Sequence, residues 1–260
     1  MNNDGMLSVR HLSKSYTRGV VRRQRVDAVK DVSFSIPAGT AMGIAGNSGC
    51  GKSTIARMIM GLIPPDDGAV FLDGRQISGL KAGEMKTVRR QIQIIFQHPE
   101  SSLDPRRKII ESVLEDMEIH GVKQGRAQRE ARVEELFEML GLHTRLFQRY
   151  PHQISGGEAQ RIVIARALTL EPKVLILDEP TSMLDASIQA HILTLLKTLQ
   201  EALGLTYLLI SHDLEVLCWF CDRIGIMTGG ALIETGTRTE ILEKPEQPFT
   251  KKLVESFFAF

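Results

Sequence analysis

Nine consecutive residues, Gly46-Asn47-Ser48-Gly49-Cys50-Gly51-Lys52-Ser53-Thr54, bring glycines, a lysine and neighbouring hydroxyls into one short loop. Glycines let a backbone curl until successive N–H groups point inward at an anion. A helix that follows adds the positive end of its dipole to the same place. The chemistry that fits is phosphate binding, with Lys52 as a point charge for the β- and γ-phosphates of a nucleotide. The Ser53 hydroxyl then becomes a ligand for a magnesium ion bridging those phosphates. A turn that merely joined strand to helix would explain the glycines but not Lys52 and Ser53. The glycine spacing also differs from the G-x-G-x-x-G dinucleotide fingerprint.

Two further runs carry groups such chemistry needs. Val174-Leu175-Ile176-Leu177 ends in Asp178 and Glu179, and strand alternation sends adjacent side chains in different directions. Asp178 is placed to hold magnesium, directly or through water, and Glu179 to polarise the water that attacks the γ-phosphate. The alternative is an exposed acidic turn before Pro180. Ile210-Ser211-His212-Asp213 delivers His212 at the end of another apolar strand, where ligands collect in open α/β sheets. A histidine there is structural when taken alone; beside phosphate chemistry it becomes a γ-phosphate contact and water positioner. Ile154-Ser155-Gly156-Gly157-Glu158, 23 residues before Asp178, opens a helix of its own and forms a second anion-binding cap. One nucleotide reaches two such caps only if the chain folds them together or a second molecule brings its copy across.

The elements that must position these residues are legible as patterns. Ala41 to Ala45, Val174 to Leu177 and Thr206 to Ile210 are short apolar runs suited to parallel strands buried on both faces. Helical patterns over Ser53 to Leu62, Glu158 to Leu170 and Ala186 to Leu203 alternate with them, which predicts an α/β layer fold with a mostly parallel core sheet. Leu7 to Tyr16 and Ala28 to Ile36 alternate instead, as an antiparallel β subdomain would. The basic loop between them, Arg18 to Arg25, could touch anionic lipid, but solvation is the expected reading. From Gln97 to Ser155 charged helical patterns take over, such as Gln128 to Leu140 closed by Gly141, and predict an inserted α-helical subdomain.

Composition narrows the partners. The 260 residues are 43% hydrophobic and 24% charged, enough for a well-buried core. With 32 basic against 31 acidic side chains the net charge is +1, so no nucleic-acid partner is expected. No run approaches the roughly 18 apolar residues of a membrane span, and Met1 to Gly5 lacks a secretion signal, which places the chain in the cytosol. Cys50, Cys218 and Cys221 are too few for a disulfide framework. Cys218-Trp219-Phe220-Cys221 has the form of a redox or zinc pair, but no second pair exists. Leu214, Leu217, Cys218 and Cys221 share helical spacing, so buried core is expected.

In motif order nearly the whole chain resembles the ATP-binding cassette (ABC) family: Tyr16, the phosphate loop, Gln97, Ser155-Gly156-Gly157, Asp178-Glu179, Ser182-Met183-Leu184-Asp185 and His212. The resemblance implies a single ATPase domain over residues 1–260, with a nucleotide-binding core at 1–96 and 156–260 and a helical subdomain at 97–155. It implies ATP bound by Tyr16 on the adenine and by Gly46 to Thr54, with Mg2+ at Ser53, Gln97 and Asp178. Tyr16 otherwise reads as an ordinary strand aromatic. Gln97 would also sense a membrane partner. The Ser155 to Glu158 segment would serve the ATP of an opposite subunit, and Asp185 would sit in the loop linking the two sites. Implied partners are a second ABC ATPase subunit, identical or related, two integral membrane permeases and, indirectly, an extracytoplasmic solute-binding protein. The chain would then be peripheral, on the cytoplasmic face of the membrane.

Gln97-His98-Pro99-Glu100-Ser101-Ser102-Leu103-Asp104-Pro105-Arg106 and the tail Gln247 to Leu253 resemble the peptide and nickel importer branch. With Phe260 as the last residue, the chain lacks the cysteine-containing extension of many peptide-importing members and resembles nickel-type subunits more. Three positions depart mildly from the family pattern: Ile154 for Leu, Glu158 for Gln and Met183 for Ala. An exporter ATPase shares the catalytic motifs and is the alternative. A soluble cassette protein fits less well, because only 58 residues separate Gln97 from Ser155. A small-molecule phosphotransferase would leave the second glycine cap unexplained. Lys52→Ala is expected to weaken ATP binding itself by about tenfold or more, the scale of a lost charge-assisted contact. Equilibrium binding of ATP checks it, and unchanged affinity would count against the phosphate loop.

Overall fold

The computed structural model describes residues 5–18, 24–123 and 125–258. Residues 19–23 of the basic loop, and most of the N-terminal segment read for a secretion signal, lie outside the described residues, as do 259–260. The chain opens with β1 (Leu7–Arg18), β2 (Gln24–Ile36), β3 (Ala41–Ala45), α1 (Lys52–Ile59), β4 (Asp67–Leu72), β5 (Arg75–Gln76), α2 (Ala82–Gln91) and β6 (Ile92–Ile95). After a short 3-10 turn at Pro99–Ser102 come α3 (Ile109–His120), α4 (Arg126–Met139), α5 (Gly156–Leu168), β7 (Val174–Asp178), α6 (Ala186–Leu203) and β8 (Thr206–Ile210). It closes with α7 (Leu214–Phe220), β9 (Arg223–Thr228), β10 (Ala231–Gly236), α8 (Arg238–Glu243) and α9 (Pro248–Phe258).

Two sheets form. One is antiparallel, in the order β2-β1-β4-β5; the other runs β10-β9-β3-β8-β7-β6, parallel except for the β9–β10 pair. The alternation of the core strands explains why their sequences are apolar throughout. Ala41, Ala45, Leu175, Leu177, Tyr207 and Leu209 face a core shared with α3 to α7. Met42, Ile44, Val174, Ile176, Leu208 and Ile210 face a second core shared with α1 and the antiparallel sheet. Each strand is thus covered on both sides, the arrangement parallel sheets require. The fold is α/β, with the antiparallel N-terminal sheet, mostly parallel core sheet and inserted helices expected from the sequence.

Local sequence explains several element ends. Gly141 follows α4 with φ +64°, and the Gly141 and Leu142 amides donate back to Glu138 and Phe137, closing the helix with a left-handed cap. Cys218 and Cys221 are both buried, and burial pushes both thiols up and keeps them protonated. No helix among the described residues is long and apolar enough to cross a membrane.

Tyr207 shows how β8 is locked to its covering helix. Its ring is wholly buried and its hydroxyl donates to the Leu196 carbonyl of α6 at 2.8 Å. Tyr207→Phe removes that bond with little change of shape, at a cost of about 1 kcal/mol. The melting temperature is expected to fall by about 2–4 °C in a chain of this size. Thermal unfolding checks this, with ATP affinity unchanged because the ring lies away from the strand tips.

Candidate active site

The site assembles where parallel strands end. β3 leads into the phosphate loop, β7 ends at Asp178, β8 leads to His212 and β6 leads to Gln97, and the strands lie side by side in the order β3-β8-β7-β6. The loop needs its glycines for space as well as for curvature. Gly51 has φ +109°, and a Cβ there would fall 2.0 Å from the Ala28 carbonyl oxygen of β2. Cys50 is buried beneath the loop, whereas Asn47, Ser48 and Gly49 form its exposed tip. Thr54 is half-buried in the first turn of α1, its amide donating to the Gly51 carbonyl at 3.0 Å.

Lys52 is buried, and its Nζ donates to the carbonyls of Gly46 at 2.6 Å and Asn47 at 3.1 Å. The cation therefore sits over the curl of the loop, compensated by backbone oxygens. Ser53 Oγ donates to Asp178 Oδ1 at 3.0 Å, so the two oxygens read as a magnesium pair are in direct contact. Burial pushes the Asp178 carboxyl above the usual carboxylate range and the Glu179 charge adds to this, against the Ser53 hydrogen bond.

Glu179 follows in the left-handed region at φ +51°, with its amide donating to the Ile210 carbonyl at 2.9 Å. That turn aims its carboxylate away from Asp178 and toward two neighbours. Gln97 Nε2 donates to Glu179 Oε2 at 3.2 Å, and His212 Nδ1 lies 3.3 Å from the same oxygen. Gln97, Glu179 and His212, from three strand ends, thus meet at one carboxylate.

Two serines complete the cluster, both within motifs quoted from the sequence but given no role there. Ser182 Oγ accepts from Gln97 Nε2 at 3.2 Å and donates to the Glu179 carbonyl at 3.2 Å. Ser211 Oγ accepts from the Asp213 amide at 3.0 Å and shapes the turn that presents His212. Their place inside those motifs was the signal that could have found them.

Tyr16 lies farther out, on β1, opposite Val26. Val26 is two residues from Ala28, whose carbonyl abuts Gly51, so the hairpin brings the aromatic to the flank of the loop. Its ring is exposed, with Lys14 Nζ 5.9 Å from the centroid.

Ser155 caps α5 through a reciprocal box. Glu158 N donates to Ser155 Oγ at 3.3 Å, while Glu158 Oε2 accepts from Ser155 N at 2.9 Å and from its hydroxyl at 2.9 Å. These bonds, the Ser155 amide foremost, hold the Glu158 carboxyl below its ordinary value. Gly156 and Gly157 face Leu184 and Ile188: a Cβ on Gly157 would meet Ile188 Cγ2 at 3.1 Å. Asp185 caps α6, its Oδ1 accepting from Ile188 N at 3.0 Å. Among the described residues no hydrogen bond or ion pair joins Ser155–Glu158 to the phosphate loop.

A phosphate cradle, an adjacent Ser–Asp oxygen pair and a second carboxylate at the same strand tip define an ATP-hydrolysing phosphate-loop ATPase. The sequence profile of the family described as ABC transporter matches residues 29–182. OppF of Streptococcus mutans, an oligopeptide transport ATP-binding protein, is 40% identical over 98% of this chain and 82% of its own length. OppF of Bacillus subtilis is 42% identical over 96% and 82%. A solved dimeric ATP-binding cassette in a post-hydrolysis state with ADP and Pi superposes with a TM-score of 0.80 at 31% identity, over 90% of this chain and 99% of that one. CbiO1 of Clostridium perfringens, part of the ABC transporter complex cbiONQ, gives 0.80 at 29% identity, over 93% and 92%. The chain belongs to the ABC transporter family, among relatives of the oligopeptide ATP-binding type.

Asp178 supplies a pH-linked test. Its folded carboxyl holds its proton more tightly than the unfolded one, so stability falls as pH rises from the usual carboxylate range through the raised folded value. Asp178→Asn removes that cost while still accepting from Ser53. The nucleotide-free variant is expected to melt at or above the wild-type temperature at pH 7, and ATP hydrolysis to fall by about 10²-fold or more. Thermal melts and phosphate release check both halves.

Proposed function

We propose that this chain is the ATP-binding subunit of an ABC importer for peptide-type solutes, hydrolysing ATP to ADP and phosphate to drive uptake through a membrane permease. The observation that carries the import reading is the agreement of relatives 40–44% identical over most of the chain, all described as oligopeptide transport or peptide import ATP-binding proteins. They favour peptides over the nickel-type solute weighed from the sequence. The working unit comprises two ATPase subunits, two permease subunits and an extracytoplasmic binding protein, with this chain peripheral at the cytoplasmic face.

Residues 1–96 with 156–260 act as the nucleotide core, and 97–155 as the helical part that meets the permease. Lys52 and the loop amides from Gly46 to Thr54 hold the phosphates, and Tyr16 stacks on the adenine. Ser53, Asp178 and Gln97 form an all-oxygen donor set suited to Mg2+, and the raised Asp178 carboxyl is what a nearby cation would relieve. Bound there, the ion would neutralise developing charge on the phosphates. Glu179 takes the proton of the attacking water, and His212 and Gln97 fix the orientation of its carboxylate. The partner's equivalents of Ser155, Gly156, Gly157 and Glu158 complete the site, and Asp185 lies in the loop between the two sites.

Glu179→Gln tests this reading. The amide keeps the size of the side chain but cannot accept a proton at pH 7. ATP binding is expected to stay within a few-fold of wild type and turnover to fall by about 10²-fold or more, with the paired, ATP-bound form accumulating. Phosphate release and size analysis in ATP measure this; wild-type turnover would remove Glu179 from its role. Purifying the membrane complex through this subunit and identifying the ligand of its binding protein tests the solute class.

A further inference from the structure

We propose that Arg166 is a positioning residue that ties the turn following Gln97 to the helix opened by Ser155-Gly156-Gly157, so that one ATP site's state is passed to the cap serving the other. The inference rests on the proposed paired site and adds a residue to it.

Arg166 lies on α5, ten residues beyond Gly156 and about 15 Å along the same helix. Its guanidinium is largely buried and engages three residues on two elements. Nη1 donates to the Ser102 carbonyl at 2.6 Å, at the end of the turn that begins two residues after Gln97. Nε and Nη2 form a fork on Asp116 of α3, at 2.8 and 3.0 Å. Nη2 also reaches Glu115 at 3.3 Å, which in turn accepts from Arg107 at 2.6 Å.

This geometry is specific to arginine. A planar fork with several donors can hold a bidentate carboxylate and a backbone carbonyl at once, whereas a lysine ammonium cannot match that arrangement. A cavity of about 330 Å3 lies between Ser101 and Ser102 on one side and Val163 and Ala167 of α5 on the other. The polar tie adds to a close approach of turn and helix, where Leu103 is buried in the same core as Ile162 and Val163.

The consequence concerns direction. Gln97 is bonded to Glu179, so whatever rearranges the Glu179 carboxylate during turnover displaces Gln97 and the turn behind it. Arg166 makes that turn, α3 and α5 one body, and α5 carries the Ser155 cap at its other end. The same link works in reverse, from a permease pressing on the helices to Gln97. Coupling that works through a buried tie leaves the phosphate loop itself untouched.

Removing Arg166 alone would strand Asp116 and leave Glu115 with Arg107 only, a general cost to folding. The informative variant combines Arg166→Met with Glu115→Gln and Asp116→Asn, in the membrane complex purified through this subunit. ATP affinity is expected to stay within about twofold and KM to follow it, while kcat falls by about tenfold, a change of the size such coupling carries. The melting temperature should stay within a few degrees, and Arg166→Lys should fall between wild type and the triple variant in kcat. Wild-type kcat in the triple variant, or a parallel loss of kcat, ATP affinity and melting temperature, would overturn the proposal. The Glu179→Gln complex measured alongside separates the two readings: if it is inactive while the triple variant is fully active, only the role of Arg166 fails.

Discussion

Burying a parallel sheet on both faces leaves its strands little room for polar side chains along their length, and the chemistry of this chain collects where β3, β8, β7 and β6 stop. Strand order sets which groups can meet. Because β7 lies between β8 and β6, Glu179 at its tip is reached by His212 from one side and Gln97 from the other. Because β8 alone separates β7 from β3, Asp178 can touch Ser53 at the start of α1. Neither contact would survive a different order of the same strands.

The electrostatics follow from that confinement. Lys52 is buried among carbonyl oxygens, and Asp178 is buried beside a second carboxylate with one hydroxyl to support it. The protein's own groups therefore compensate the Lys52 cation more fully than the Asp178 carboxylate. On the proposed reading a nucleotide with a divalent ion would correct both, its phosphates at Lys52 and its metal at Asp178. Binding free energy of this kind comes from charges placed at a cost during folding, which is why the surrounding core has to be large and closely packed.

Much of this arrangement was legible in the sequence. The apolar runs at 41–45, 174–177 and 206–210 are β3, β7 and β8, three of the four inner strands, and the pattern over Ala186 to Leu203 has the same bounds as α6. Strands with less uniform character were less visible: β6 is four residues long and half-buried at two of them, and β9 and β10 form an antiparallel pair that no apolar run announced. The meeting of Gln97, Glu179 and His212 could be placed only by strand order, which no local pattern encodes. Arg166 was invisible for another reason: between Ala165 and Ala167 it reads as one more charged residue on a helix, and only the fold reveals that it points inward.

The cap at Ser155 shows why pairing belongs to the chemistry on the proposed reading. Within this chain the Ser155 amide and hydroxyl are engaged by Glu158, and its glycines pack against Leu184 and Ile188. A carboxylate at a helix N-terminus offsets the positive end of the dipole, so a free anion gains little there. On that reading an ATP held by a facing subunit would arrive already anchored by its own loop and metal, and would need from this cap only orientation and the hydroxyl of Ser155. The acidic residue at position 158 thus discourages stray phosphate while permitting a pre-formed partner site to dock. Gly156 and Gly157 lie against Leu184 and Ile188, on either side of Asp185, so on the proposed reading the cap and the inter-site loop would move together. Closure of one site then bears directly on the geometry of the other.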